Sequence, residues 1–310
     1  MTDTNRVSLF LLEESTWGTT PSSGAWDTLR FTGESLALNV DTANSAEIRA
    51  DRNVEDIIRT GENVSGDLNF ELSHGTYDKL IEGLMMNTFS SNAIVNGTTL
   101  KSYTIEKKFE QLTKYHTFKG LRVSSLSLSV NAGEIVTGSF SFMGKDLTVA
   151  GTSASSGTPS AASTTTAYNA INNVTVLNEA GSSLADKVTS LSLTIDNNLR
   201  QNVAIGSAAP SQIGFGQFTV TGTMTVYFSS SQIFDKFVAG TDSALAFTLS
   251  DLAGSPKTLN FNMPRIEYTS ATVLAGGVNS DVMAEVGFTA KYQSTASSGI
   301  GGTLKITRSA

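Results

Sequence analysis

One stretch of this sequence occurs twice. The first copy runs Val64-Ser65-Gly66-Asp67-Leu68-Asn69-Phe70-Glu71-Leu72-Ser73, then Tyr77-Asp78-Lys79-Leu80-Ile81-Glu82-Gly83. The second runs Val220-Thr221-Gly222-Thr223-Met224-Thr225-Val226-Tyr227-Phe228-Ser229, then Phe234-Asp235-Lys236-Phe237-Val238-Ala239-Gly240. Each reads as a strand, a short polar turn and one short helix. Upstream, Ser35-Leu36-Ala37-Leu38 before Asp41 aligns with Ser190-Leu191-Ser192-Leu193 before Asp196. The spacing is 155 residues there (Leu36 to Leu191) and 157 at the helix (Asp78 to Asp235). A repeat of half the chain reads as a duplicated domain, since solenoid periods run about 20–50 residues. Chance likeness between two strand-turn-helix units is the alternative. The expected fold is mainly β: two duplicated β-sandwich or barrel-like domains, each with one short flanking α-helix. They span residues 1–150 and 168–310, joined by a Gly/Ser/Thr-rich linker at 151–167.

Each half is long enough to bury a core. Charged residues make up 16% of the 310, below the usual ~25%. With 27 glycines and only five prolines, this suits short alternating strands joined by small polar turns. The net charge of −7 argues against a surface that grips nucleic-acid phosphates, which needs clustered Lys and Arg. It does not exclude DNA as something to be passed without sticking. There is no cysteine, hence no disulfide or thiolate–metal framework. Residues 1–6 lack the apolar run of a signal peptide, and no transmembrane stretch appears. The reading is a soluble protein made in the cytoplasm.

Val7 to Leu12 and Trp26 to Phe31 open the chain as apolar segments around a turn at Pro21 and Gly24. Leu36, Leu38 and Val40 alternate as a half-buried strand. Asp41 to Glu62 is the most charged segment, holding Glu47, Arg49, Asp51, Arg52, Glu55, Asp56 and Arg59 with Ile48, Val54, Ile57 and Ile58 between them. Loops longer than about 12–15 residues are usually functional or disordered, and the branched aliphatics argue against disorder. The segment reads as an extended arm or long hairpin that orders on a partner; a solvated surface loop is the alternative. In the first helix Tyr77, Leu80, Ile81, Leu84 and Met85 form one apolar stripe over about 12 residues. Ile233, Phe234, Phe237 and Val238 repeat it, and both stripes read as core. Tyr103–Phe109 with Tyr115–Phe118 reads as a hairpin, followed by strands at Leu121–Val123, Leu126–Val130 and Ile135–Met143. The second half reads as strands at Val174–Leu177, Leu191–Ile195, Phe218–Phe228, Leu245–Leu249, Leu259–Met263, Arg265–Tyr268, Val282–Tyr292 and Leu304–Thr307. Asn197 to Ile213 is the neutral counterpart of the charged arm.

The chain carries little that points to chemistry. His74 reads as a turn residue before the first helix, and His116 as a surface or interface residue on a strand. No nucleophile elbow or P-loop occurs, and Gly214-Phe215-Gly216 lacks the third glycine of a dinucleotide site. Asp51, Asn53, Glu55 and Glu62 follow EF-hand spacing, but position 6 is Asp56 where a glycine is needed, so a solvated charge cluster explains them better. No catalytic residue, metal ligand or cofactor site is expected, and the chain reads as no enzyme.

The charged loop after Ser35–Val40, the Val64-Ser65-Gly66-Asp67-Leu68 strand and the Tyr77-Asp78-Lys79-Leu80 helix resemble the tail tube (major tail) proteins of long-tailed, non-contractile, siphovirus-type bacteriophages. The opening Leu11-Leu12-Glu13-Glu14-Ser15-Thr16-Trp17-Gly18-Thr19 is similar to theirs as well. The resemblance covers mainly residues 1 to 90. It implies a virion protein whose subunits join their sheets into rings that stack into a hollow tube for DNA. Six domains per ring is the family's arrangement, so a duplicated chain would close as a pseudo-sixfold ring of three, in keeping with cyclic assembly. Without the duplication, a hexamer with a decorating second domain would follow. The partners implied are the chain itself, a tape measure protein and genomic DNA in the lumen without sequence-specific binding, and tail terminator and tail-tip proteins, with no membrane. The arm residues Glu47, Ile48, Arg49, Asp51, Arg52, Val54, Ile57, Ile58 and Arg59 are the expected inter-ring contact. The expected location is the virion tail, after synthesis in the bacterial cytoplasm.

Two other readings compete. A carbohydrate- or receptor-binding β-sandwich adhesin would need exposed loop aromatics, for which Trp17, Trp26 and Tyr168 are few and scattered. A hydrolase would need a nucleophile–base pair.

Overall fold

The computed structural model describes residues 3–51, 53–184, 187–251, 255–295 and 300–309. Strand takes up 52% and helix 7%, so the protein is mainly β. The first half contains β1 (Val7–Glu13), β2 (Asp27–Leu29), β3 (Gly33–Glu34), β4 (Ala37–Asn44), β5 (Ile57–Glu71), α1 (Asp78–Met85), β6 (Ala93–Val95), β7 (Tyr103–Phe109), β8 (Lys114–Asn131), β9 (Thr137–Gly144) and β10 (Asp146–Ala150). The second contains β11 (Val174–Glu179), β12 (Ser182–Ser183), β13 (Val188–Asp196), β14 (Arg200–Asn202), β15 (Gln212–Gly214), β16 (Thr219–Tyr227), α2 (Gln232–Ala239), β17 (Ser243–Ser250), β18 (Thr258–Leu274), β19 (Met283–Ala290) and β20 (Lys305–Arg308).

The two halves pair their strands in the same order. In the first half β4, β5, β9 and the trailing part of β8 lie side by side, and the leading part of β8 pairs with β7 and β10. In the second half β13, β16, β19 and the trailing part of β18 repeat the first arrangement. The leading part of β18 pairs with β17 and β20. A bulge interrupts β8 between Val123 and Ser125, and another interrupts β18 between Tyr268 and Ser270. An extra residue at that point bends one strand so that it serves two sheet faces.

The pairings also correct the alignment of the upstream strand. Gly222 stands opposite Leu193, whereas an added Cβ on Gly66 would meet the backbone of Leu36. Ile195 stands opposite Val220, and Leu38 opposite Val64. Leu193 therefore matches Leu36, a spacing of 157 (193 − 36) and not 155. A slip of two leaves every side chain on its own face, so apolar alternation gives no warning of it.

Several expected boundaries shift. The segments read as separate strands from Tyr115 to Val130 are one 18-residue strand. Leu259–Met263 and Arg265–Tyr268 are likewise continuous through Pro264. The proline sits where the β17 pairing skips between Ser243 and Leu245, since it has no N–H for a regular ladder. The first helix has eight residues and not twelve, because Met86 turns left-handed at φ 47. The Met85 and Met86 carbonyls then accept from the Gly97 and Thr99 N–H groups.

The apolar stripe of α1 is core: Leu80, Ile81, Leu84 and Met85 are all buried. Phe70, Tyr77 and Phe140 stack beneath it, with Phe70 4.3 Å from Tyr77 and 4.9 Å from Phe140. The α2 stripe follows only in part: Ile233 and Phe237 pack half-buried against the core. None of its residues is buried, and Val238 is 70% exposed. Seventeen residues (86–102) fold back over α1, but only three (240–242) separate α2 from β17. At the matching core positions Val226 and Val286 replace Phe70 and Phe140, leaving a cavity of about 50 Å³ beside Ile233 and Phe234.

Residues 151–167 run back across the first half. Ser156 and Ser160 donate backbone hydrogen bonds to the Ser22 and Trp26 carbonyls. The buried Glu106 carboxylate accepts from the Ser153 hydroxyl and the Ala154 N–H, both at 2.7 Å. Trp26 and Tyr168 are buried, so neither is a loop aromatic offered to a ligand. Trp17 is half-buried and has the Arg122 and Lys145 cations 5.6 and 5.1 Å from its ring.

The halves share one sheet. Residues 125–131 of β8 lie antiparallel to residues 190–196 of β13. The late strand β20 pairs with β6 in the first half, Ile306 opposite Ile94. One cluster of buried apolar residues runs through both halves.

Candidate assembly surfaces

The charged arm is a hairpin formed by β4 and the first part of β5. Its tip closes through the Ser45 N–H on the Asp56 carbonyl at 2.9 Å. The hairpin brings Glu47, Ile48, Arg49, Asp51, Val54, Ile57, Ile58 and Arg59 together; Arg52 lies outside the described residues. Arg49 grips Asp51 through Nε–Oδ1 at 3.0 Å and also pairs with Glu55. The Arg49 guanidinium, helped by Asn53, holds the Asp51 carboxyl down at about 2. Exposed pairs of this kind contribute roughly 0–1 kcal/mol and serve mainly to shape the tip. Among the described residues, little covers the aliphatics between them: Ile48 is 99% exposed, and Val54, Ile57 and Ile58 all exceed half.

The second arm is bent onto the first half. Its core is the β14–β15 hairpin. At its root the Asn197 amide donates to the Leu84 and Val123 carbonyls at 2.9 and 3.0 Å. The buried Arg122 guanidinium donates to the Ile213 carbonyl. Near its tip the Ala208 carbonyl accepts from the Glu62 N–H at 2.9 Å, at the base of the first arm.

Two sheet edges were not singled out by sequence reasoning. Among the described residues, the outer edge of β4 and that of β18 beyond Ser270 have no strand partner. Their counterparts, β13 and β8, are the two strands that pair with each other inside the chain.

The face of this sheet turned away from the core is hydroxyl-rich. It carries Ser127, Ser139, Ser141, Ser192, Thr194, Thr221, Thr223 and Thr225, and the carboxylates Asp67, Glu71, Asp196, Glu267 and Glu285. No Lys or Arg occurs in residues 35–41, 63–71, 125–131, 137–143, 190–196, 219–227, 266–274 or 283–289. Eight neighbouring strands thus present one face poor in cations; at its margin Lys291 pairs with Glu267 at 2.7 Å.

The chemical candidates dissolve. Among the described residues no group of His, Asp and Glu could hold a metal ion. His74 Nε2 lies 3.3 Å from the Ser309 hydroxyl, with its pKa lowered by burial and by the Lys257 and Arg308 charges. Ser309 Oγ already accepts the Thr258 N–H, so it is held as a structural link. His116 packs edge-on against Phe109 and is likewise lowered by burial.

A mainly β chain whose halves share one strand-pairing order, with unpaired sheet edges, a projecting hairpin and a cation-poor sheet face, has the features of a structural building block. The family model described as phage tail tube protein matches residues 4–290, and the chain belongs to that family. No curated protein sequence matches it. It is therefore a structural tail tube protein and a component of the virion tail, in a family that is not one of enzymes. No helix among the described residues is long and apolar enough to cross a membrane.

Proposed function

We propose that three copies of this chain close into a ring, that each half serves as one of six ring units, and that rings stack into the tube through which phage DNA passes. The carrying observation is the internal seam between β8 and β13, where the first unit already joins the second edge to edge. The same two edges remain unpaired at the outer ends, on β18 and β4. A repeated unit with one used and one unused copy of the same junction closes as a cyclic assembly. Closure also uses up edges that would otherwise template aggregation.

The cation-poor sheet face lines the lumen in this reading. Duplex DNA carries about one negative charge per 1.7 Å, and a wall of hydroxyls and carboxylates gives it nothing to grip. The arm reaches the next ring: Ile48, Val54, Ile57 and Ile58 supply buried area, and Arg49, Arg52 and Arg59 fix register through ion pairs. A tape measure protein fills the lumen before DNA, and tail terminator and tail-tip proteins cap the ends. The chain is made in the host cytoplasm.

Negative-stain electron microscopy of purified protein across concentration tests this. Hollow tubes or stacked rings with threefold end views are expected. Deleting residues 45–60 should leave rings but stop stacking; tubes of unchanged length would remove the arm from the stacking contact. Six-chain rings would show that the halves are not equivalent ring units.

A further inference from the structure

The internal seam specifies more than the fact of ring closure. It supplies the residue-by-residue register of the junction between chains, provided that the ring reading above holds. Val123 of β8 stands opposite Phe142, and after the bulge Ser125 stands opposite Ser141. Tyr268 of β18 stands opposite Phe288, and after its bulge Ser270 stands opposite Gly287. Phe142 and Phe288 in turn face the repeat glycines Gly66 and Gly222. Ser270 therefore occupies the place of Ser125. On the other strand Leu36 and Leu38 occupy the places of Leu193 and Ile195, as derived from their shared partners on β5 and β16.

Within the chain the seam pairs Ser125 with Asp196, Leu126 with Ile195, Ser127 with Thr194 and Leu128 with Leu193. We infer that β4 of one chain adds antiparallel to β18 of the next, with Asn39 opposite Ser270, Leu38 opposite Ala271, Ala37 opposite Thr272 and Leu36 opposite Val273.

Side-chain parity fits this register. In the internal seam the inward residues Leu126, Leu128, Leu193 and Ile195 are all buried. At the open edges Leu38, Ala271 and Val273 face the core and are only half-buried, so the added strand completes their cover. Asn39, Ala37, Ser270 and Thr272 are exposed and join the polar face. Residues 35–40 and 270–274 contain no charge, although free edges are usually guarded by one. An uncharged edge with an apolar inner side suits a second copy of this chain and not solvent. Both strands are already fixed in their own sheets, so a slip by one residue would set an inward side chain opposite an outward one.

The chain has no cysteine, so engineered pairs read the register directly. Opposed residues in an antiparallel pair have Cα atoms about 4.5–5.5 Å apart, inside disulfide range. Under mild oxidation with diamide, Ala37→Cys combined with Thr272→Cys should give a non-reducing ladder of two and three linked chains, ending in a covalently closed trimer. N39C with S270C should give the same ladder. As a control, S127C with T194C should form a bridge within one chain without any ladder. Rings or tubes by microscopy with no ladder from either pair would overturn the register and leave the tube reading standing. Neither rings nor ladder at any concentration would overturn both. A dimer from A37C alone would mean that β4 pairs with β4, which also overturns the inference.

Discussion

Replacing Gly66 with alanine tests the packing that the repeated Val-Ser/Thr-Gly triplet encodes. Gly66 has φ +150, a conformation that side chains rarely adopt. A Cβ there would lie 2.5 Å from the Ser35 carbonyl oxygen and 2.6 Å from the Leu36 N and Cα atoms. These are backbone atoms, which cannot rotate aside, so the segment entering β4 must move. Backbone strain of this kind costs about 1–3 kcal/mol, and overpacking about 1–3 more. The expected loss is roughly 2–6 kcal/mol, a large part of a stability that is usually about 5–15. With a urea slope on the order of 3 kcal/mol per molar, the unfolding midpoint of the unassembled chain should fall by about 1–2 M. Gly133→Ala is the matched control, because Gly133 also has positive φ (+86) but nothing within 4 Å. It should cost only about 1 kcal/mol. If the two variants unfold together, the close approach of β5 to Ser35 and Leu36 is not what the glycine serves.

Glu106→Ala removes the buried carboxylate that accepts from the Ser153 hydroxyl and the Ala154 N–H. The two lost hydrogen bonds to a charged group contribute up to about 1.5–3 kcal/mol each, so residues 151–157 should detach, and limited proteolysis should cut there several-fold faster while the rest of the chain stays resistant. Alkaline stability should fall in a defined window. Burial pushes the Tyr77 hydroxyl up to about 12, and Tyr103, Tyr168 and Tyr268 are raised further by burial. A raised folded pKa means that the unfolded chain loses its proton first. This contribution is intact below the ordinary tyrosine value near 10 and is lost as pH rises through about 12. Absorbance at 295 nm should therefore show these tyrosines ionising together with the loss of β circular dichroism; ionisation ahead of unfolding would contradict their burial.

Much of this fold was legible in the sequence, and the failures have specific causes. The duplication was carried by Gly66 and Gly222, each required because another backbone or ring passes too close for a Cβ. The β4 arm was legible as a long hairpin because its aliphatics are spaced among charges. The two-residue misalignment of β4 and β13 arose because strand patterning repeats every two residues. The long strands β8 and β18 were read in pieces, since a bulge breaks alternation without ending the strand. The thinner cover of α2 was invisible, because the helix has the same stripe as α1 and differs only in what folds over it. The free edges of β4 and β18 were missed for a related reason. An edge strand and a central strand with one wet face share the same alternation, and only the pairing partners tell them apart.

The pairing of Ile306 with Ile94 has a consequence for biosynthesis. The two residues are 212 positions apart (306 − 94). At ribosomal rates of about 5–20 residues per second, β6 waits roughly 10–40 s for the strand that completes it. Over part of that interval the β8 edge also stands open, because β13 has not yet been made. On a crowded polysome a neighbouring nascent chain could offer its own β4 or β13 to that edge, exchanging strands before either chain is finished. High contact order of this kind slows folding, and it places the main hazard for this protein before release from the ribosome.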